Sequence, residues 1–282
     1  MAKLFIGTSG WMYKDWQGKF YPEKLPQRKW LEYYGQHFKT VEVNSTFYHS
    51  MKLTAFENWF RSTPDDFVFA VKASRFITHI KRLKPDRETI KNFIESVTAL
   101  GDKLGPILWQ LPPRFKAEAE RLEAFLVLSS GIIDHSNSQK NSIDYELRTT
   151  NSKLKMAFEF RDPSWFNESI YQILRKHNAA LVIAESGGYW PYSAKASTDA
   201  KAMADESEGK PFEEVITADF VYLRFHGEGG TYSTSYTDQE LEEWSKKIKK
   251  WQRAGIDVYA YFNNDVAGFA VENAKALIDM VS

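Results

Sequence analysis

The sequence predicts one (β/α)8 barrel of the TIM type, spanning residues 1–282. Three observations predict it. Eight short runs are rich in β-branched or aromatic residues, amphipathic stretches separate nearly all of them, and several runs carry a polar or charged residue at every second position. The runs are Leu4 to Thr8, Thr40 to Thr46, Phe67 to Ser74, Pro106 to Leu111, Lys155 to Arg161, Ala179 to Glu185, Phe220 to His226 and Val258 to Asn263. Helices are expected at Gln27 to Gln36, Ala55 to Ser62, Arg87 to Leu104, Ala117 to Leu128, Ser164 to His177, Asp238 to Ala254 and Gly268 to Val281, so only the sixth crossover lacks one. A chain of 282 residues is long enough for such a barrel to form as a single unit.

Boundary residues support these elements. Asp238 is the expected N-cap of a helix with Leu241, Trp244, Ile248 and Trp251 along one stripe, and Ala254-Gly255 stops it. Pro163 ends the fifth strand, with Ser164 as the next cap. Two segments exceed the minimal unit. Ser129 to Leu154 is polar and reads as an insertion before strand five, with a short helix around Ile143 to Arg148. Gly187 to Thr217, which carries Tyr189, Trp190 and Tyr192, reads as a long loop after strand six, either a lid over the C-terminal face or a plain surface loop.

Lys plus Arg (37) balance Asp plus Glu (37), so no global field attracts a polyanion and a dedicated nucleic-acid binder is disfavoured. The absence of Cys excludes disulfides, Cys-based zinc sites and thiol nucleophiles. No basic segment followed by a long apolar one opens the chain, and no run approaches the roughly 18 apolar residues of a membrane span, so a cytoplasmic protein without membrane contact is expected.

Alternation along the strands locates the candidate chemistry, because successive strand residues face opposite sides. Val41 and Val43 oppose Glu42 and Asn44; Phe158 and Phe160 oppose Glu159 and Arg161; Leu223 and Phe225 oppose Arg224 and His226; Phe69 and Val71 oppose Ala70 and Lys72. With the apolar faces against the helices, the charged faces point into the barrel, and Gln110, Glu185 and Asn263 are expected to follow them, with Asp265 just past the last strand. Barrel interiors are usually filled by aliphatic residues, and buried charge costs several kcal/mol unless paired, so such a lining calls for a reason. Most of these residues end their strands, at the mouth where barrel active sites are built; Glu42 is expected deeper. A closed ion-pair network without catalytic duty is the competing reading.

His226 is the first candidate for proton transfer and Glu159 its carboxylate counterpart; a structural histidine and a Glu159–Arg161 salt bridge are the alternatives. Lys72, Arg161 and Arg224 suggest an anionic ligand. Glu42, Asn44, Gln110, Glu185, Asn263 and Asp265 would orient it. Glu159 and Glu185 would permit glycoside hydrolysis if placed about 5 to 10 Å apart. Trp11, Tyr13, Tyr48, Trp165, Tyr232 and Tyr236 are candidate stacking residues on rim loops, or simply loop packing. His79, His226, Glu159 and Asp265 lack metal-ligand spacing, so no metal site is assigned and the cofactor stays open. The phosphate-cradling, zincin and nucleophile-elbow signatures are missing.

Ordered motifs also resemble a known family. They are Gly7-Thr8-Ser9-Gly10-Trp11, Tyr21-Pro22, Thr40 to Tyr48, Lys72-Ala73 with Thr78-His79, Leu104-Gly105-Pro106 leading to Gln110-Leu111-Pro112-Pro113, Glu159-Phe160-Arg161 with Ser164-Trp165, Tyr222 to Gly227, and Tyr261 to Asp265 with Gly268 and Asn273-Ala274. Together they resemble the YecE-like proteins of domain-of-unknown-function family 72, over nearly the whole chain. The resemblance implies a TIM-type barrel and brings no settled activity. Two departures stand out: Glu185-Ser186 where the family pattern has Asp-Ser, and a longer Ser129 to Leu154. The leading expectation is an enzyme of hydrolase, lyase or isomerase type, using general acid/base chemistry on a small anionic sugar- or nucleotide-like substrate. Metal-dependent phosphodiester cleavage and non-catalytic ligand sensing are the alternatives, and oligomeric state is left open.

Overall fold

The computed structural model describes residues 2–138, 154–185, 214–227 and 232–282. Eight strands, β1 (Leu4–Thr8), β2 (Thr40–Val43), β3 (Val68–Lys72), β4 (Leu104–Gln110), β5 (Met156–Glu159), β6 (Ala180–Glu185), β7 (Phe220–Phe225) and β8 (Asp257–Phe262), close a barrel in chain order. Every neighbouring pair is parallel, including β1 with β8, where Leu4 lies beside Val258 and Thr8 beside Phe262. The helices are α1 (Trp30–Gly35), α2 (Ser45–Tyr48), α3 (Leu53–Arg61), α4 (Arg87–Val97), α5 (Ala119–Ser138), α6 (Glu168–Lys176), α7 (Asp238–Arg253) and α8 (Phe269–Val281). The expected (β/α)8 architecture is what the chain forms, and no helix among the described residues is long and apolar enough to cross a membrane.

Several boundaries differ from expectation for local reasons. β2 stops at Val43 because Asn44 turns into helical backbone (φ −97, ψ −18), and Ser45 and Thr46 open α2. Helix α5 runs on to Ser138, so the polar segment after Leu128 begins as helix. Residues 139–153 and 186–213, with the expected helix at Ile143 to Arg148, Tyr189, Trp190 and Tyr192, lie outside the described residues. The cap of α7 is Thr237, not Asp238: its hydroxyl accepts from Glu240 N while the Glu240 carboxylate accepts from Thr237 N at 2.8 Å, a reciprocal capping box. Asp162, not Ser164, caps the turn after β5, and Asn167 caps α6.

The strands divide their side chains into two layers. Val41, Val43, Phe69, Val71, Trp109, Phe158, Leu181, Ile183, Leu223, Phe225 and Phe262 pack outward with the helices. Ala70, Leu108, Ala157, Ala180, Val182, Phe220, Tyr222, Tyr259 and Tyr261 fill the barrel as a separate cluster. Its N-terminal end is closed by aromatics: Phe5 stacks on Tyr259 at 4.9 Å, Phe220 meets the same ring at 5.7 Å, and Lys155 Nζ lies 4.8 Å from the Phe220 centroid. Small residues on β3, β5 and β6 leave room for these rings, and the interior below the mouth is packed rather than hollow. Between β1 and β2 the Tyr34 hydroxyl replaces part of the ladder, accepting from Thr8 N and donating to Thr40 O, both at 3.0 Å. A Cβ at Gly7 would sit 2.2 Å from Thr40 O, so only glycine lets the two strands approach there.

Candidate active site

Arg224 on β7 is the hub of the upper interior. Its Nε and Nη2 donate to the two oxygens of Glu42 on β2, at 3.0 and 2.8 Å, and its Nη1 donates to Glu159 Oε2 on β5 at 2.7 Å. Ser9 Oγ (2.9 Å) and Tyr222 Oη (2.7 Å) also donate to Glu42. Glu159 Oε1 in turn accepts from Gln110 Nε2 at 2.9 Å and from Arg161 Nε and Nη2 at 2.8 and 2.7 Å. Two carboxylates and two guanidiniums therefore compensate each other, across strands that never pair directly in the sheet. Burial grades along the axis: Glu42 is 0 % and Arg224 1 % exposed, Lys72 and Gln110 are 8 % exposed, and the Arg161 side chain is 33 % exposed. The network is sealed below and reaches solvent through Arg161.

Electrostatics follow from that packing. Burial opposes charge on Glu159, but Arg161 and Arg224 outweigh it and hold the carboxyl well below its ordinary range. Burial alone would lower Arg224; Glu42 and Glu159 instead raise it well above the usual guanidinium value. Lys72 is different. No hydrogen-bond or ion-pair partner meets its Nζ among the described residues; it lies over the face of Phe47, 4.3 Å from the centroid. Burial first, and Arg224 second, bring its pKa down to about 7. His79, edge-on to the same Phe47 ring at 5.0 Å, is brought to about 4 by burial and by Lys72.

Several buried polar atoms around the mouth have no hydrogen-bond partner among the described residues: His226 Nε2, Asp265 Oδ1 and Asn44 Oδ1, beyond the ends of β7, β8 and β2. His226 Nδ1 lies 3.0 Å from Asn263 Nδ2, an amide donor, which places the imidazole proton on Nε2, the unpartnered nitrogen. Burial, then Arg224, push the His226 pKa well below its usual value, so the ring is neutral at physiological pH. Tyr232 lies edge-on to it at 5.3 Å. Asp265 faces Tyr13, and burial raises its pKa to about 8 against the lowering effect of the Tyr13 hydrogen bond, so its carboxyl is protonated at neutrality.

Of the residues singled out from sequence, Glu42, Gln110, Glu159, Arg161 and Arg224 are joined by direct hydrogen bonds; Lys72, His226 and Asn263 border them, and Asn44 and Asp265 stand at the same rim. Glu185 does not join. It lies beside Phe225 and shares the outward face of β6 with Leu181 and Ile183, and its carboxylate faces the Tyr236 hydroxyl. The strand parity runs Ala180, Val182, Ala184 inward, so Glu185 is one residue out of phase. The Glu159–Glu185 glycosidase pair is thereby removed. The proton-exchange role expected of Glu159 also conflicts with its environment, which holds it ionised. Among the stacking candidates Trp11, Trp165 and Tyr236 are buried packing residues, with Trp165 stacked on Phe160 at 4.5 Å; Tyr48 and Tyr232 stay exposed. Among the described residues no three His, Asp or Glu side chains converge as a metal-ligand set.

A family model described as "Protein of unknown function DUF72" matches residues 5–282. The chain belongs to the DUF72 family. It is 27% identical to UPF0759 protein YunF of Bacillus subtilis (strain 168), covering 99% of this chain and 94% of that protein, and 23% identical to UPF0759 protein YecE of Escherichia coli (strain K12), covering 94% and 88%. The crystal structure of a DUF72 family protein from Thermotoga maritima MSB8 superposes with a TM-score of 0.74 at 27% identity, over 99% of both chains. One from Enterococcus faecalis V583 has a TM-score of 0.71 at 20% identity, over 99% of this chain and 95% of the other, and bears on the fold alone.

Within this DUF72 barrel, sequence reasoning undervalued two residues. Ser9 extends the inward parity of Phe5 and Gly7 by one step and supplies a donor to Glu42; Phe47, in the turn after β2, carries Lys72 and His79 on its ring. The first was legible from alternation. The second depends on the α2 turn, which no strand pattern reveals.

Proposed function

We propose that the chain is an enzyme that binds a small anionic compound at the C-terminal mouth and transforms it by general acid/base chemistry, with His226 as the proton donor. The reading rests on one observation: buried polar atoms of His226, Asp265 and Asn44, without a partner among the described residues, lie beyond the ends of β7, β8 and β2, at the end of the barrel where Arg161 carries a network with satisfied charges to solvent. Buried polar groups are nearly always hydrogen-bonded, so unpartnered ones gathered at a barrel mouth call for a ligand. A neutral imidazole that donates from Nε2 suits a carbonyl, hydroxyl or alkoxide oxygen, and a protonated Asp265 offers a second donor. Arg161 spends Nε and Nη2 on Glu159, which leaves Nη1, without a partner among the described residues, for a carboxylate or phosphate. Glu42, Glu159 and Arg224 form the fixed floor that holds these groups in place.

Profiling a metabolite extract against the purified protein tests this. Anionic compounds are expected to be consumed, and Arg161→Gln to raise KM for them about 10- to 100-fold, the worth of one charged hydrogen bond. Tight binding without turnover would replace the enzyme reading with a ligand sensor. Consumption indifferent to Arg161→Gln would remove the anion from the account.

A further inference from the structure

Lys72 lies outside the compensated network. Glu42 and Glu159 are matched by Arg224 and Arg161, so an ammonium on Lys72 would be an unbalanced buried charge. Its Nζ rests on an aromatic face instead of a carboxylate, the residue is 8 % exposed, and it stands one inward position above Ala70, which pairs with Glu42. Resting on the acid/base reading above, we infer that Lys72 is a nucleophilic amine that forms an imine with an aldehyde or ketone bearing a carboxylate or phosphate. Arg161 takes the anionic group, His226 Nε2 takes the carbonyl oxygen, and the Lys72 nitrogen faces the carbonyl carbon.

The step balances without any further reactant. The nitrogen lone pair makes the C–N bond while the carbonyl π pair moves to oxygen. His226 Nε2 gives that oxygen its proton and recovers one from the nitrogen, leaving a neutral carbinolamine. Transfer of the second amine proton to the hydroxyl releases water and leaves C=N, so both amine hydrogens end in the water. Burial that holds the amine near a pKa of about 7 keeps much of it unprotonated at neutrality, which an ordinary lysine is not.

The whole chain, incubated at near-neutral pH with cyanoborohydride and dilute glyoxylate, glycolaldehyde phosphate or uncharged glycolaldehyde, and then mapped by peptide mass, decides the matter. Lys72 is expected to be reductively alkylated about tenfold or more faster than exposed lysines such as Lys246, because far more of it is free amine. Labelling of Lys72 should level off above about pH 7 while exposed lysines keep accelerating. The wild-type map carries the result, so it does not depend on a Lys72 variant folding. Preference for glyoxylate or for the phosphate identifies the anionic group. Equal labelling by all three probes upholds the nucleophile and overturns the Arg161 anion assignment. Labelling of Lys72 no faster than of Lys246 overturns the inference while leaving the acid/base reading standing.

Discussion

Arg224→Met is expected to destabilise the fold by about 3–5 kcal/mol, read as a lowered midpoint in urea at neutral pH. Arg224 is the cation shared by two fully buried carboxylates. Methionine fills much of the volume, so the loss is chiefly electrostatic: Glu42 keeps Ser9 and Tyr222 as donors but no positive charge, and Glu159 keeps Arg161 and Gln110. Arg224→Lys should not rescue it, because one ammonium cannot supply three directed bonds to two acids. The pH dependence gives the sign. In the wild type the Glu159 pKa is depressed, so its contribution is present above the unfolded value of about 4.3 and is lost as pH falls through the folded one. In the variant a buried carboxylate without its cation favours the protonated form, so the deficit against wild type should be largest at neutral pH and shrink in acid. A deficit constant with pH would mean that lost packing, not lost pairing, is responsible.

His226→Gln is expected to lower kcat/KM on a consumed compound by about 10²- to 10⁴-fold, the usual worth of a positioned proton donor. Glutamine still donates a hydrogen bond and can reach Asn263, but it cannot pass on a proton. KM should change far less than kcat if the hydrogen bond to the substrate oxygen matters chiefly in the transition state. Stability supplies a control. Because the folded His226 resists protonation, the unfolded chain binds more protons below its ordinary pKa of about 6.5, so wild-type stability falls with pH there. Without the imidazole, part of that acid slope should vanish while the neutral-pH midpoint stays near wild type.

Strand parity was readable in sequence wherever a run alternated cleanly. Glu42, Glu159 and Arg224 were placed correctly because valine, phenylalanine or leucine flanks each of them on the helix side. It failed at Glu185, because β6 reads Ala-Leu-Val-Ile-Ala-Glu: both faces are apolar, and a charge at the end gives no phase. Pairing was out of reach for a different reason. That Arg224 bonds across the barrel to β2 and β5, rather than to strands beside it, depends on closure and stagger, which no local pattern encodes. The same holds for Lys72, whose lack of a charged partner among the described residues is a property of what does not reach it. Residues with strong rim-loop signals, Trp165 and Tyr236, proved to be packing because their hydrogen-bonding ends find backbone partners inside the fold.

His226 is central: a neutral imidazole with its proton on a nitrogen that has no partner among the described residues, a state that histidine-ring NMR reads directly. Of the six histidines, the one whose signals vanish in His226→Gln is expected to keep the Nε2–H tautomer and show no titration near pH 6.5, moving only in stronger acid. A midpoint at or above 6.5, or a proton on Nδ1, would contradict it.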